Sequence, residues 1–94
     1  MLRIGIRDYL VRVEPILFND FIEIYEDDDS KITDYESAKK YIGQTVACFR
    51  FTESGLLYKK FLATLLDIKP VFDINFKKDS WEIEIKILRE FMIH

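Results

Sequence analysis

Apolar residues recur at every second position through the first stretch of the chain. Leu2, Ile4 and Ile6 come first, then Tyr9, Val11 and Val13, with Arg3, Arg7 and Arg12 between them. Alternation of this kind is the mark of a strand with one buried face, because successive side chains point to opposite sides. The parity changes near Asp8, which predicts a bulge or tight bend within a strand pair. A helical spacing through Leu2, Ile6, Tyr9, Leu10 and Val13 competes, and the β-branched content favours the strand. After Pro15, residues 16–26 are rich in Ile, Phe and Tyr and read as a second strand, interrupted at Asn19-Asp20. A polar loop over 27–31 follows.

Thr33 followed three residues later by Glu36 has the form of a capping box. Tyr35, Ala38, Tyr41 and Ile42 share one helical face and Gly43 supplies a left-handed stop, so a helix of about three turns is predicted. Residues 44–51 alternate again, with Thr45, Ala47, Phe49 and Phe51 on one side. Ser54 is placed to cap a second helix reaching Asp67, with Leu57, Phe61 and Leu65 as its apolar stripe, widened by Tyr58 and Leu62. Pro70 ends it. In the last quarter Phe72, Ile74 and Phe76 alternate with polar residues, as do Trp81, Ile83, Ile85 and Ile87. A hairpin turning over Lys78-Asp79 pairs Phe76 with Trp81, Ile74 with Ile83 and Phe72 with Ile85, placing every apolar residue on one face. These elements predict a single α+β domain over 1–94. It is a mostly antiparallel sheet of about five strands with two helices on one face, in the order ββαβαββ.

Composition narrows the class. The 94 residues are 49% hydrophobic and 15% aromatic with 3 Gly and 2 Pro, which excludes disorder as a description of the whole chain. Cys48 is the one cysteine and His94 the one histidine, so the chain forms no internal disulfide and no Cys/His zinc site. Cys48 sits mid-strand and reads as an inert core residue. Residues 1–10 carry Arg3, Arg7 and Asp8 with no apolar run, and the longest strictly apolar run is 46–49. The expectation is a cytoplasmic protein without a membrane anchor, in the host cytoplasm for a virus-encoded chain.

Charge is unevenly spread. Between Glu23 and Glu36 seven acids face one base, Lys31, so that segment carries 1 − 7 = −6 of a total of −3 and the remainder is +3. The leading functional expectation is a small protein-interaction module, an inhibitor or regulator of the immunity or phage anti-defence type. It would present Glu23, Glu26, Asp27, Asp28 and Asp29, with Glu82 and Glu84, to a basic, nucleic-acid-binding partner. The aromatic excess adds the expectation of a homodimer through a strand edge or through Phe91-Met92-Ile93. A pI of about 5.1 argues against phosphate-backbone binding as the main activity. The nucleic-acid alternative uses Arg3, Arg7, Arg12 and the lysine pairs Lys59-Lys60 and Lys77-Lys78.

No catalytic residue or cofactor is assigned from the pattern of residues. The run from Asp27 fails as an EF-hand because Lys31 and Ile32 fill its fifth and sixth places, and Ser37-x-x-Lys40 lies on an exposed, capped helix. The predicted hairpin register sets Asp73 across from Glu84, a carboxylate pair able to hold a divalent cation. Pro70, Asp73 and then Glu84-x-Lys86 on adjacent strands resemble the PD-(D/E)xK nuclease superfamily over residues 70–86. That resemblance implies Mg²⁺ held by Asp73 and Glu84, with Lys86 steadying the attacking water.

Overall fold

The computed structural model describes residues 1–11, 17–74 and 76–92. The strands are β1 (Arg3–Val11), β2 (Leu17–Tyr25), β3 (Thr45–Phe51), β4 (Leu57–Asp73) and β5 (Lys78–Met92), with one short helix, α1 (Tyr35–Lys39), between β2 and β3. They form a single mixed sheet in the order β2-β1-β3-β4-β5, in which β1 and β3 run parallel and every other pair is antiparallel. Strand makes up 65% of the structure and helix 6%, so the expected α+β fold with two helices gives way to a mostly-sheet fold.

The second helix, expected over 54–67, is the first half of a 17-residue strand. Phe61, Ala63 and Leu65 alternate inward, and the ladder then shifts between Leu65 and Asp67, so Leu66 is an extra residue and Ile68 returns to the core. Phe61, Leu65 and Ile68 are thereby spaced by four and three, which is helical spacing produced by a strand with a bulge. Tyr58 is a second extra residue, at the shift between Arg50 and Phe51. The first helix is shorter than expected. Its cap is Asp34, whose carboxylate accepts from the Ser37 N–H at 2.9 Å, and the Thr33–Glu36 box is not used.

β1 contains no bulge. Its ladder with β2 runs without a shift from Arg3–Tyr25 to Val11–Leu17, and β2 is uninterrupted at Asn19-Asp20. The parity change was produced by Asp8 itself, which takes the core-side position after Leu2, Ile4 and Ile6. Arg12, Val13, Pro15, Ile16, Asn75, Ile93 and His94, which entered the sequence expectations, lie outside the described residues.

The hairpin register also differs. Trp81 pairs with Pro70, Ile83 with Ile68 and Ile85 with Leu65, while Asp73 faces Lys78. Opposite charges thus meet where the expected register set Asp73 against Glu84. The slip leaves Phe72 and Ile74 60% and 75% exposed, and it carries Trp81 into the core.

Beyond Thr64 the β4–β5 hairpin outruns β3 and folds back to β2. Its far end clasps that edge strand. Trp81 packs inside, the buried Ser80 hydroxyl accepts from the Ile22 N–H at 3.0 Å and donates to the Ile22 carbonyl, and Phe76 lies against Phe21 and Tyr9 on the outer side. The enclosed core joins Leu2, Ile4, Ile6, Ile22, Ile24, Val46, Cys48, Phe61, Ala63, Leu65, Ile68 and Trp81, with Ile32 and Ala38 from the crossover. Each large aliphatic side chain so buried contributes about 1.5–3 kcal/mol. No helix among the described residues is long and apolar enough to cross a membrane.

Candidate functional site

The sheet face turned away from this core carries three rows of side chains fixed by the ladder. The first runs Tyr25, Arg3, Ala47, Leu62, Arg89; the second Glu23, Gly5, Phe49, Lys60, Phe91; the third Phe21, Arg7, Phe51, Leu57. Period-two alternation puts most of these residues here, one step from core positions such as Ile4, Ile6, Ile22, Ile24, Cys48 and Phe61, and the ladder carries the same face on to Phe51, Leu57, Arg89 and Phe91. Five aromatics and four cations therefore interleave across five strands with a single acid.

The cations lie on the rings. Lys60 Nζ is 5.5 Å from the centre of Phe49, the Arg89 guanidinium 4.9 Å from Phe91, and Lys78 Nζ 4.3 Å from Phe21. Lysine and arginine stems thereby half-cover the aromatics while their charged ends stay at the surface. Arg7, Lys60 and Arg89 enter no ion pair among the described residues. Arg3 is held by Asp29. Glu23 is bonded to Lys31 at 2.9 Å and accepts from the Tyr25 hydroxyl at 2.9 Å. Burial pushes its carboxyl up, but those two bonds and the charges of Lys31 and Lys78 outweigh burial and hold it below the ordinary value.

The core-side positions at one end of the same strands are polar. Asp8 and Asp20 face one another across β1 and β2, and an Arg50 amino nitrogen reaches both, at 2.8 and 3.2 Å. The Tyr58 hydroxyl donates to Asp8, and Arg50 Nε is buried without a partner among the described residues. Burial acts on both acids. At Asp8 the bonds from Tyr58 and Arg50 overcome it and hold the carboxyl below its ordinary value; at Asp20 burial, with the charge of Asp8, overcomes Arg50 and pushes the carboxyl up. Beside this cluster a cleft of about 570 Å³ opens between β2 and the hairpin tip, and Asp20, Asp73 and Glu82 are among the residues lining it, with Phe72, Ile74 and Trp81.

The residues singled out in the sequence are distributed differently. Glu26 accepts from Tyr41, Asp27 pairs with the Met1 amino group, Asp28 accepts from the Ser30 N–H, and Asp29 pairs with Arg3. The acidic loop is thus largely satisfied from within. Glu82 and Glu84 stand on β5 opposite Lys69 and Asp67, with Glu82 at the cleft. The pair implied by the nuclease resemblance is not assembled: Glu84 is six residues along β5 from the partner of Asp73, about 20 Å, and Lys86 faces Thr64. Among the described residues no group of three or more His, Cys, Asp or Glu is arranged to hold a metal ion.

By contrast Arg3, Arg7, Lys60 and Lys78, scattered in sequence, are gathered with the aromatics. Asp8, Asp20, Arg50 and Tyr58 were missed, although each charged member interrupts an apolar alternation. The chain matches no family model, no curated protein and no solved structure.

Proposed function

We propose that this protein binds single-stranded nucleic acid on the outer face of its sheet. The observation that carries the reading is the interleaving of Phe49, Phe51, Phe91 and Tyr25 with Arg7, Lys60 and Arg89 on one uncovered surface. Half-exposed rings offer stacking platforms to unpaired bases, each worth about 1–3 kcal/mol, and cations beside them meet the phosphates. The net charge of −3 does not oppose this, because Glu26 and Asp27 are drawn to Tyr41 and Met1, and Asp29 reaches the face only at its rim, on Arg3.

The test is fluorescence anisotropy of a labelled single-stranded oligonucleotide at low salt, against the same sequence as a duplex. The single strand should bind more tightly, and the double variant Lys60→Glu/Arg89→Glu should weaken it by about tenfold or more through loss of two phosphate contacts. A wild-type protein that fails to bind at low salt, or a double variant that binds as well as wild type, overturns the reading.

A basic protein partner is the second reading, and one feature favours it: carboxylates of Asp20, Asp73 and Glu82 line a cleft whose neighbours Phe72 and Ile74 are exposed. Under it, Phe72→Ser with Glu82→Gln abolishes a pull-down that Asp27→Asn/Asp28→Asn/Asp29→Asn leaves intact. The reverse pattern returns the contact to the acidic loop.

A further inference from the structure

Gly5 stands at the centre of the outer face, in the middle of β1, and nothing in the fold asks for a glycine there. Gly43 and Gly55 hold positive φ of 90° and 92°, which excuses them; Gly5 lies in regular ladder between Glu23 and Phe49. A Cβ placed on it would meet only the Glu23 carbonyl oxygen and the Phe51 ring, both at an ordinary 3.9 Å. Glycine inside a strand costs roughly 0.5–1 kcal/mol relative to alanine, and where neither conformation nor packing demands it, close approach of another molecule to the backbone is the remaining use.

The space above it is a recess of about 220 Å³ walled by Phe21, Tyr25 and Phe51, with Arg7 and Glu23 at its sides. Arg7 lies across the β3–β4 turn, where its guanidinium comes within 3.2 Å of a Cβ built on Gly55. Both the Lys31 and the Tyr25 bond to Glu23 fall on Oε2. Oε1 takes neither, and the carboxylate is held ionised by those partners.

We infer that this recess receives one base of the bound strand, and that the base bears an exocyclic amino group. The inference rests on the nucleic-acid reading above and adds a specificity to it. The ring lies on the Gly5 backbone against Phe51, the amino group donates to Glu23 Oε1, and the neighbouring phosphate meets Arg7. Cytosine satisfies the carboxylate in this way, because it presents an N4 amino donor to an acidic acceptor. Uracil, of the same size, presents a carbonyl oxygen at that position and sets two acceptors against each other.

The experiment compares oligodeoxycytidylate with oligodeoxyuridylate of equal length by anisotropy, using the full chain. Wild type should prefer the cytidylate by roughly tenfold, the value of one hydrogen bond to a charged group. Glu23→Gln, which keeps the shape of the side chain, should bring the two within about twofold. Gly5→Ala, whose Cβ meets nothing closer than 3.9 Å in the folded chain, should weaken cytidylate severalfold while the melting temperature holds. Equal binding of both strands by wild type, or a preference unmoved by both variants, overturns the subsite and leaves the stacking face standing. If neither strand binds, the subsite falls together with the face.

Discussion

Asp8 and Asp20 are chemically the same residue on facing strands, yet their surroundings drive their carboxyl groups in opposite directions. Asp8 is the one that Tyr58 and Arg50 both bond, so its ionised form is part of the folded state; Asp20 shares Arg50 at longer range and feels the Asp8 charge. The lowered Asp8 value stabilises the fold above the ordinary carboxylate range, and that contribution is lost as pH falls through its folded value. The raised Asp20 value has the opposite sign: its contribution is complete below the ordinary range and is lost as pH rises. Near neutrality, therefore, Asp8→Asn should destabilise by about 1–3 kcal/mol, since it removes the negative charge facing Arg50 and replaces one of the two oxygens that Arg50 and Tyr58 bond with an amide nitrogen. Asp20→Asn should be neutral or slightly stabilising. Urea midpoints of the two variants check this, and an equal loss in both contradicts it.

Cys48 is fully enclosed, and burial alone pushes its thiol up to about 12 from an ordinary 9.0. The folded protein keeps the proton that the unfolded chain releases, so the cysteine's contribution is intact below about pH 9 and declines as pH rises toward 12. Each pH unit in that window costs about 1.4 kcal/mol. Cys48→Ala should lose stability more slowly than wild type between pH 9 and 10.5, as measured by urea denaturation. A thiol reagent should label Cys48 only at the rate of global opening; labelling faster than opening would place the sulfur at the surface.

At the scale of elements, the β4–β5 hairpin decides the fold. Three register shifts and an overhang let one ribbon serve as sheet strands at its base and as a clasp on β2 at its tip. Ser80 holds the clasp by satisfying both the N–H and the carbonyl of Ile22, an edge that would otherwise stay open to another chain. Ser80→Ala removes the partner of two backbone groups in a buried place and should cost about 2–4 kcal/mol by chemical denaturation, counting about 1–2 for each group. It should also raise amide exchange at Ile22 ahead of the rest of β2. A variant with unchanged exchange there would show that the tip is held by Trp81 and Phe76 alone. The apolar alternation located β1, β2, β3 and β5 and foresaw a hairpin, but it caught only the last two residues of β4, because the bulged first part of that strand has the spacing of a helix. The expected register failed for a related reason: shifting one strand by an even number of residues keeps its faces intact, so pattern alone could not distinguish Phe76 from Pro70 as the partner of Trp81. Contact with β2, remote in sequence, makes that choice.

At the scale of the whole molecule, charge was legible as a sum and misleading as a map. The stretch from Glu23 to Glu36 is strongly acidic in sequence, but folding brings Arg3 and the Met1 amino group to it, and long-range pairs of this kind leave no mark in a linear count. The same folding lifts Arg7, Lys60 and Arg89 onto one face. The affinity of the proposed complex should accordingly fall with salt at a slope of about −0.7 for each phosphate these residues meet, despite the acidic pI.

By itself the sequence determined that the chain folds around a dense apolar core, where most strands lie, and the buried faces marked by Leu2, Ile4 and Ile6 and by Trp81, Ile83 and Ile85. Those properties depend on neighbours within a few residues, and period two records them. Tertiary structure alone decided which strands adjoin, that Asp8, Asp20 and Arg50 meet, and that Gly5 opens a recess among aromatics and cations, because side chains far apart in the chain become neighbours only through the order and curvature of the sheet.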